Sequence, residues 1–175
     1  MACLLTAGRK VPCKSAVGGI KSVYFADFGT LGAATIASGE ITAFAGTPDW
    51  FEFDVKGNSS LETTVNSSRE NGTTFYTQTL NLTLTFLDKA TQEELKLLAH
   101  ARPHVAVEDY NGNFFLVGLD HGAEVTGGTV VTGAAMGDLS GFTLTFEGQE
   151  TAPAYFVTST VITDDASAVQ IDPTA

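Results

Sequence analysis

Apolar and polar residues alternate along much of this chain. In TLNLTLTF, residues 79–86, Leu80, Leu82, Leu84 and Phe86 fall on one side of an extended backbone, with Thr79, Asn81, Thr83 and Thr85 on the other. The same period recurs in 50–55, where Phe51, Phe53 and Val55 oppose Glu52 and Asp54. It recurs in 61–66, with Leu61, Thr63 and Val65 against Glu62, Thr64 and Asn66, and in 142–147, with Phe142, Leu144 and Phe146 against Thr143, Thr145 and Glu147. A period of two marks strands with one buried and one solvated face. Threonine on the polar side suits a β-branched residue on a sheet surface. Further strands are expected at 22–28, at 35–44 with a break at Ser38-Gly39, at 104–109 and at 114–119.

Turn residues punctuate these runs. Asn111-Gly112 predicts a type I′ hairpin, and Gly127-Gly128 predicts another between 123–126 and 129–132. Asn71-Gly72 precedes a long strand expected to begin near Thr73. One segment follows a different period. In TQEELKLLAHAR, residues 91–102, Leu95, Leu98 and Ala99 form a helical stripe, Thr91 and Glu94 match a capping box, and Pro103 stops the helix. The pattern predicts a mainly β fold: an antiparallel β-sandwich or barrel flanked by one amphipathic α-helix over about 91–102. No linker composition divides the chain. The expectation is a single domain over 1–162 with an N-terminal arm over about 1–20, then a flexible acidic tail over 163–175.

Composition narrows the function. The 175 residues are 43% hydrophobic and carry 20 acids against nine bases, a net charge of −11. Such a surface opposes gripping nucleic acid or docking on an anionic membrane. All nine bases lie in residues 1–102, while 103–175 holds ten acids and no base. That half either serves solubility or faces something negative that must slide past it. No basic-then-apolar leader opens MACLLTAGRK and no apolar run approaches the ~20 residues that span a bilayer, so neither a signal peptide nor a membrane span is expected. Cys3 and Cys13 are read as two reduced thiols.

Catalytic signatures are missing. His100 and His104 have helical ligand spacing, but Pro103 ends the helix between them, and His121 reads as a polar loop residue. Ser140 in GDLSG stands one place too late for a nucleophile elbow, and the glycine-rich 127–141 lacks the lysine and the helix of a phosphate loop. Asn58, Asn66, Asn71 and Asn81 each open an N-x-S/T triplet and are read as strand and turn chemistry. No catalytic residue, cofactor or metal ligand is assigned, and an enzyme is not expected. Strands 79–86 and 142–147 carry Thr and Asn rather than Lys and contain no proline. Their composition suits sheet edges closed by a neighbouring copy.

SSRENGTTF at 67–75, LLAHARPHVAVEDYNGN at 97–113, GLDHGAEVTGG at 118–128 and TGAAMGDLSGFTLTF at 132–146 resemble the major tail, or tail tube, proteins of tailed bacteriophages. The resemblance spans roughly residues 67–150. It implies a β-sandwich or barrel with a helix on its side, hexameric rings whose inner sheets join around a channel, and stacking through a long loop and terminal arms. The channel passes DNA without gripping it, so its wall is acidic. The expected lumen-facing acids are Glu108, Asp109, Asp120, Glu124 and Asp138. The expected ring-stacking loop is 58–72, with Asn58, Glu62, Asn66, Arg69 and Asn71. The implied partners are other copies of the chain, other tail proteins and passing DNA, with no membrane; the implied location is the virion tail, assembled in the host cytoplasm. Another virion β-protein, such as a tail terminator or capsid decoration protein, stands beside this expectation, as does a non-catalytic adhesin or binding module.

Overall fold

The computed structural model describes residues 8, 9, 14, 16–55 and 58–162, and the alternating segments pair into two facing sheets. In chain order the strands are β1 (Ile20–Ala26), β2 (Ala34–Ala37), β3 (Glu40–Phe44), β4 (Phe51–Asp54), β5 (Ser60–Ser68) and β6 (Thr73–Thr85). The helix α1 (Lys89–Leu98) follows, then β7 (His104–Asp109), β8 (Phe114–Val117), β9 (Glu124–Val131), β10 (Gly141–Glu150) and β11 (Tyr155–Val157). One sheet has the order β2-β3-β11-β8-β7-β1-β4, the other β5-β6-β10-β9. Every pairing is antiparallel except β11 with β3. The architecture is a sandwich, with no closed barrel among the described residues.

The inner faces of the two sheets make the main core: Val23, Phe25, Val105, Val107 and Val117 from one, Leu80, Leu82, Leu84, Phe142 and Phe146 from the other. Residues one step along β1 and β7, Tyr24 and Ala106, enter a second cluster with Leu31, Trp50, Leu116 and Ile162. The larger sheet is thus buried on both faces, which is why IKSVYFA and HVAVED read as nearly continuous apolar runs. Trp50 is fully buried, as a core residue leading into the Phe51 strand.

Four expectations need correction. The helix spans 89–98 rather than 91–102, because the Asp88 carboxylate caps it by accepting the N–H groups of Ala90 and Thr91. Thr91 therefore lies in the first turn, and the chain leaves the helix through a tight turn at 99–101, before Pro103. The stripe itself stands, with Leu95 buried and Leu98 packed on the main core. Gly127-Gly128 is not a turn but the middle of β9, and neither glycine has a positive φ. Gly128 is needed for close approach instead, since a Cβ there would sit 2.6 Å from the Thr143 carbonyl oxygen. The β7–β8 hairpin forms at Asn111-Gly112, yet only Gly112 is left-handed (φ 80°), so the connection is a longer loop over 110–113 and not a type I′ turn. Finally, Phe86 does not continue the inward row of Leu80, Leu82 and Leu84. It leaves β6 with φ 72° and is 58% exposed.

The edges are also placed differently. The strands expected as edges, β6 and β10, are the two central strands of the smaller sheet, and its edges are β5 and β9. The segment 58–72, expected as a loop, is mostly β5, leaving only residues 69–72 as a turn before β6. The expected tail over 163–175, both cysteines and most of the N-terminal arm lie outside the described residues. Within the arm, Val17 is held by Asn111, whose amide accepts from the Val17 N–H at 2.9 Å and donates to its carbonyl at 2.7 Å.

Candidate assembly surface

The smaller sheet turns one face to the core and the other outward. Alternation along each strand sends Ser60, Glu62, Thr64 and Asn66 outward from β5, and Thr77, Thr79, Asn81, Thr83 and Thr85 from β6. Thr143, Thr145, Glu147 and Gln149 follow from β10, and Glu124 and Thr129 from β9. Hydroxyls and amides on this face bond one another. Asn66 donates to Thr77 at 2.8 Å, Thr145 donates to the Asn81 side chain at 3.0 Å, and the Thr129 and Thr143 hydroxyls meet. Strands β5, β6, β9 and β10 contribute no Lys or Arg at all. The face carries three carboxylates, and the pairing register aligns them on one rung: Glu62 opposite Thr79, Thr79 opposite Glu147, Glu147 opposite Glu124. Like charges directly across a strand pair are destabilising, so Glu124 beside Glu147 costs the isolated fold.

The five acids expected to line a channel do not share this face. Only Glu124 does. Glu108 belongs to the larger sheet, is buried, and accepts from the Lys21 ammonium at 2.7 Å. That hydrogen bond and its charge raise the Lys21 pKa. Tyr24 contacts Glu52 and Glu108, and burial first, then these carboxylates, push its phenol pKa up. Asp109 organises the β7–β8 loop by accepting from Asn111 and Asn113. Burial acts to raise its pKa, but these hydrogen bonds outweigh it and the pKa falls. Asp120 lies in the turn after β8, where its N–H and that of His121 donate to Glu150. Asp138 accepts the Ala135 and Ala134 N–H groups, which lower its pKa, and shapes the 132–140 loop. Glu62, expected in a stacking loop, and Glu147, assigned no role from sequence, complete the row with Glu124. Strand alternation already put Glu62 and Glu147 on polar faces; only the pairing shows that the faces coincide.

Of the expected stacking residues, Asn58 precedes β5 and its carbonyl accepts from Thr83, Asn66 lies on the outer face, and Arg69 and Asn71 sit in the hairpin turn. The edges differ in kind between the sheets. The larger sheet ends in the four-residue strands β2 and β4, and short edges resist pairing with other chains. The smaller sheet ends in the nine-residue β5, without Lys, Pro or a break in register, and in the eight-residue β9, which bulges near Gly127.

Comparison with family models, curated proteins and solved structures gives no match. Among the described residues no group of three or more His, Cys, Asp or Glu is placed to hold a metal, and no helix is long and apolar enough to cross a membrane. His100 is exposed beyond the helix, His104 is buried at the start of β7, and His121 pairs with Glu150 at 3.2 Å, so the three are not brought together. A cleft of about 260 Å³ reaches Gln78 and Glu150, whose polar atoms are already committed to Gly118, Ala152, Asp120 and His121.

Proposed function

We propose that the protein is a structural subunit of the tail-tube kind, closing edge to edge into rings that stack around a channel. One observation carries this reading most directly. A sheet with two long edges, unguarded by Lys or Pro, turns outward a face of hydroxyls, amides and carboxylates with no base. Joining β9 of one copy to β5 of the next removes both edges and makes the outer face a continuous inner wall, acidic at the Glu62–Glu147–Glu124 rung. Passing DNA meets hydroxyls and amides, several of them bonded to one another, and charges of its own sign, so it is neither gripped nor bound. The base-free half over 103–175 and the string resemblance to tail tube proteins support the same reading, which implies a place in the virion tail and a homohexameric ring.

The test is electron microscopy with light scattering across a salt series. Carboxylate repulsion along the shared wall opposes ring closure, so assembly becomes easier with added salt. A protein that stays monomeric at every concentration and salt refutes the reading and favours a binding module. Closed rings that never stack favour a terminator or decoration protein.

A further inference from the structure

The chain holds two Asn-Gly pairs, Asn71-Gly72 and Asn111-Gly112, both exposed and both in hairpin loops. In such a pair the glycine nitrogen can attack the amide of the preceding side chain, because no Cβ crowds its approach. The two glycines have similar backbones, with φ 63° at Gly72 and 80° at Gly112. What holds the asparagines differs.

Asn111 is clamped. Its side-chain nitrogen donates to the Val17 carbonyl at 2.7 Å and to Asp109 Oδ2 at 3.2 Å, while its side-chain oxygen accepts from the Val17 N–H at 2.9 Å. The Gly112 N–H donates to the Asp109 carbonyl at 3.1 Å. The nitrogen that would attack is therefore engaged, and turning the Asn111 side chain toward it breaks three hydrogen bonds. Asn71 stands in the turn 69–72, whose four residues are all exposed. Among the described residues, neither its side chain nor the Gly72 N–H makes a hydrogen bond. The turn is tied only by the Asn71 N–H, which donates to Ser68 Oγ at 3.3 Å.

We propose that Asn71 is a site of spontaneous deamidation, and that the clamp formed by Val17 and Asp109 protects Asn111 from the same reaction. The Gly72 nitrogen gives up its proton and bonds to Asn71 Cγ; the bond from Cγ to the amide nitrogen breaks, ammonia leaves, and a five-membered succinimide closes. Water then opens the ring at one carbonyl or the other. The products are aspartate and isoaspartate, in which the chain runs through the former side chain. Either product adds a negative charge beside Glu70. Isoaspartate also lengthens the backbone by one atom between Ser68 and Thr73, the pair that closes the hairpin. The converted fraction records the age of a protein population, and the chemistry requires no assembly.

The test is peptide mapping by mass spectrometry after the full chain is incubated at mildly alkaline pH, where the attacking nitrogen loses its proton more readily. In the folded protein, conversion at Asn71 is expected to run at least about tenfold faster than at Asn111, since several hydrogen bonds must break at the latter. In denaturant the two rates are expected to converge, because only folding separates the pairs. Val17→Pro removes the N–H that holds the Asn111 oxygen; Val17 is exposed and outside every strand, so the fold is kept. This variant is expected to speed conversion at Asn111 about fivefold and to leave Asn71 unchanged. Equal rates in the folded protein, faster loss at Asn111, or rates that stay apart in denaturant overturn the inference. An Asn111 rate unmoved by Val17→Pro overturns the clamp.

Discussion

Acidification tests a buried latch at His104. The imidazole joins two loops: Nε2 accepts the Gly29 N–H at 3.0 Å, and Nδ1 donates to the Gly118 carbonyl at 2.6 Å. Its ring stacks on Phe28, over which the Arg102 guanidinium sits 4.1 Å from the ring centroid. Burial lowers the His104 pKa; the Gly118 carbonyl and the Glu150 charge oppose the shift, and Arg102 adds to it. The folded state therefore resists a proton that the unfolded chain accepts. Stability is complete above about pH 6.5 and declines as pH falls from there toward the depressed folded value, with a slope of at most about 1.4 kcal/mol per pH unit for one proton. A proton on Nε2 turns it into a donor facing the Gly29 N–H, so the 27–31 loop detaches first. His104→Phe keeps the stack and removes both hydrogen bonds. Gly118 retains the Gly122 N–H at 3.2 Å and Gly29 is exposed to water, so no group is stranded. The loss is then two ordinary hydrogen bonds, about 1–3 kcal/mol. Urea midpoints measured from neutral to mildly acidic pH check both claims. An unchanged pH slope in His104→Phe, or a loss below about 0.5 kcal/mol at neutral pH, refutes the latch.

Leu95→Ala is expected to cost about 2–5 kcal/mol in thermal unfolding while Glu93→Ala, on the exposed side of α1, stays within about 0.5 kcal/mol; equal effects contradict the packing of the helix. Gly141→Ala drives a Cβ into the Leu84 carbonyl across the β10–β6 pair and is expected to lose at least about 2 kcal/mol of stability, read from its denaturant midpoint. Trypsin is expected to cut free subunits at Arg69 in the hairpin turn and to spare it in assembled particles; equal cleavage in both removes the hairpin from the stacking contact.

Local alternation carried much of this fold in the sequence. The strand 104–109 matches β7 to the residue, and the break at Ser38-Gly39 separates β2 from β3. What alternation does not contain is which strands meet. Glu108 and Glu124 look alike as acids on strands, yet one is buried beside Lys21 and the other lies on the open face, because β7 and β9 belong to different sheets. Strand order depends on pairings between distant segments, such as β6 with β10, and no local signal encodes them. Gly127-Gly128 misleads for a related reason. A glycine required by a neighbour's backbone looks the same as one required by a turn. Asp88 and Thr91 are both good caps, and the earlier residue takes the role. Strand β11 is three residues long, too short for any period to register.

Strand β11 also sets a schedule. It fills the gap between β3 and β8, running parallel to the first and antiparallel to the second. Both neighbours are synthesised well before it, so a growing chain carries an empty slot inside its larger sheet until Tyr155–Val157 arrives. Through that interval the edges flanking the slot are open to foreign strands, and two parts of one sheet wait on a contact between remote segments, which is slow to form. Completion of the larger sheet therefore waits for residues 155–157, long after β3 and β8 have been made. A chain interrupted before residue 155 keeps the slot open, and its exposed strand edges invite aggregation or capture by a chaperone.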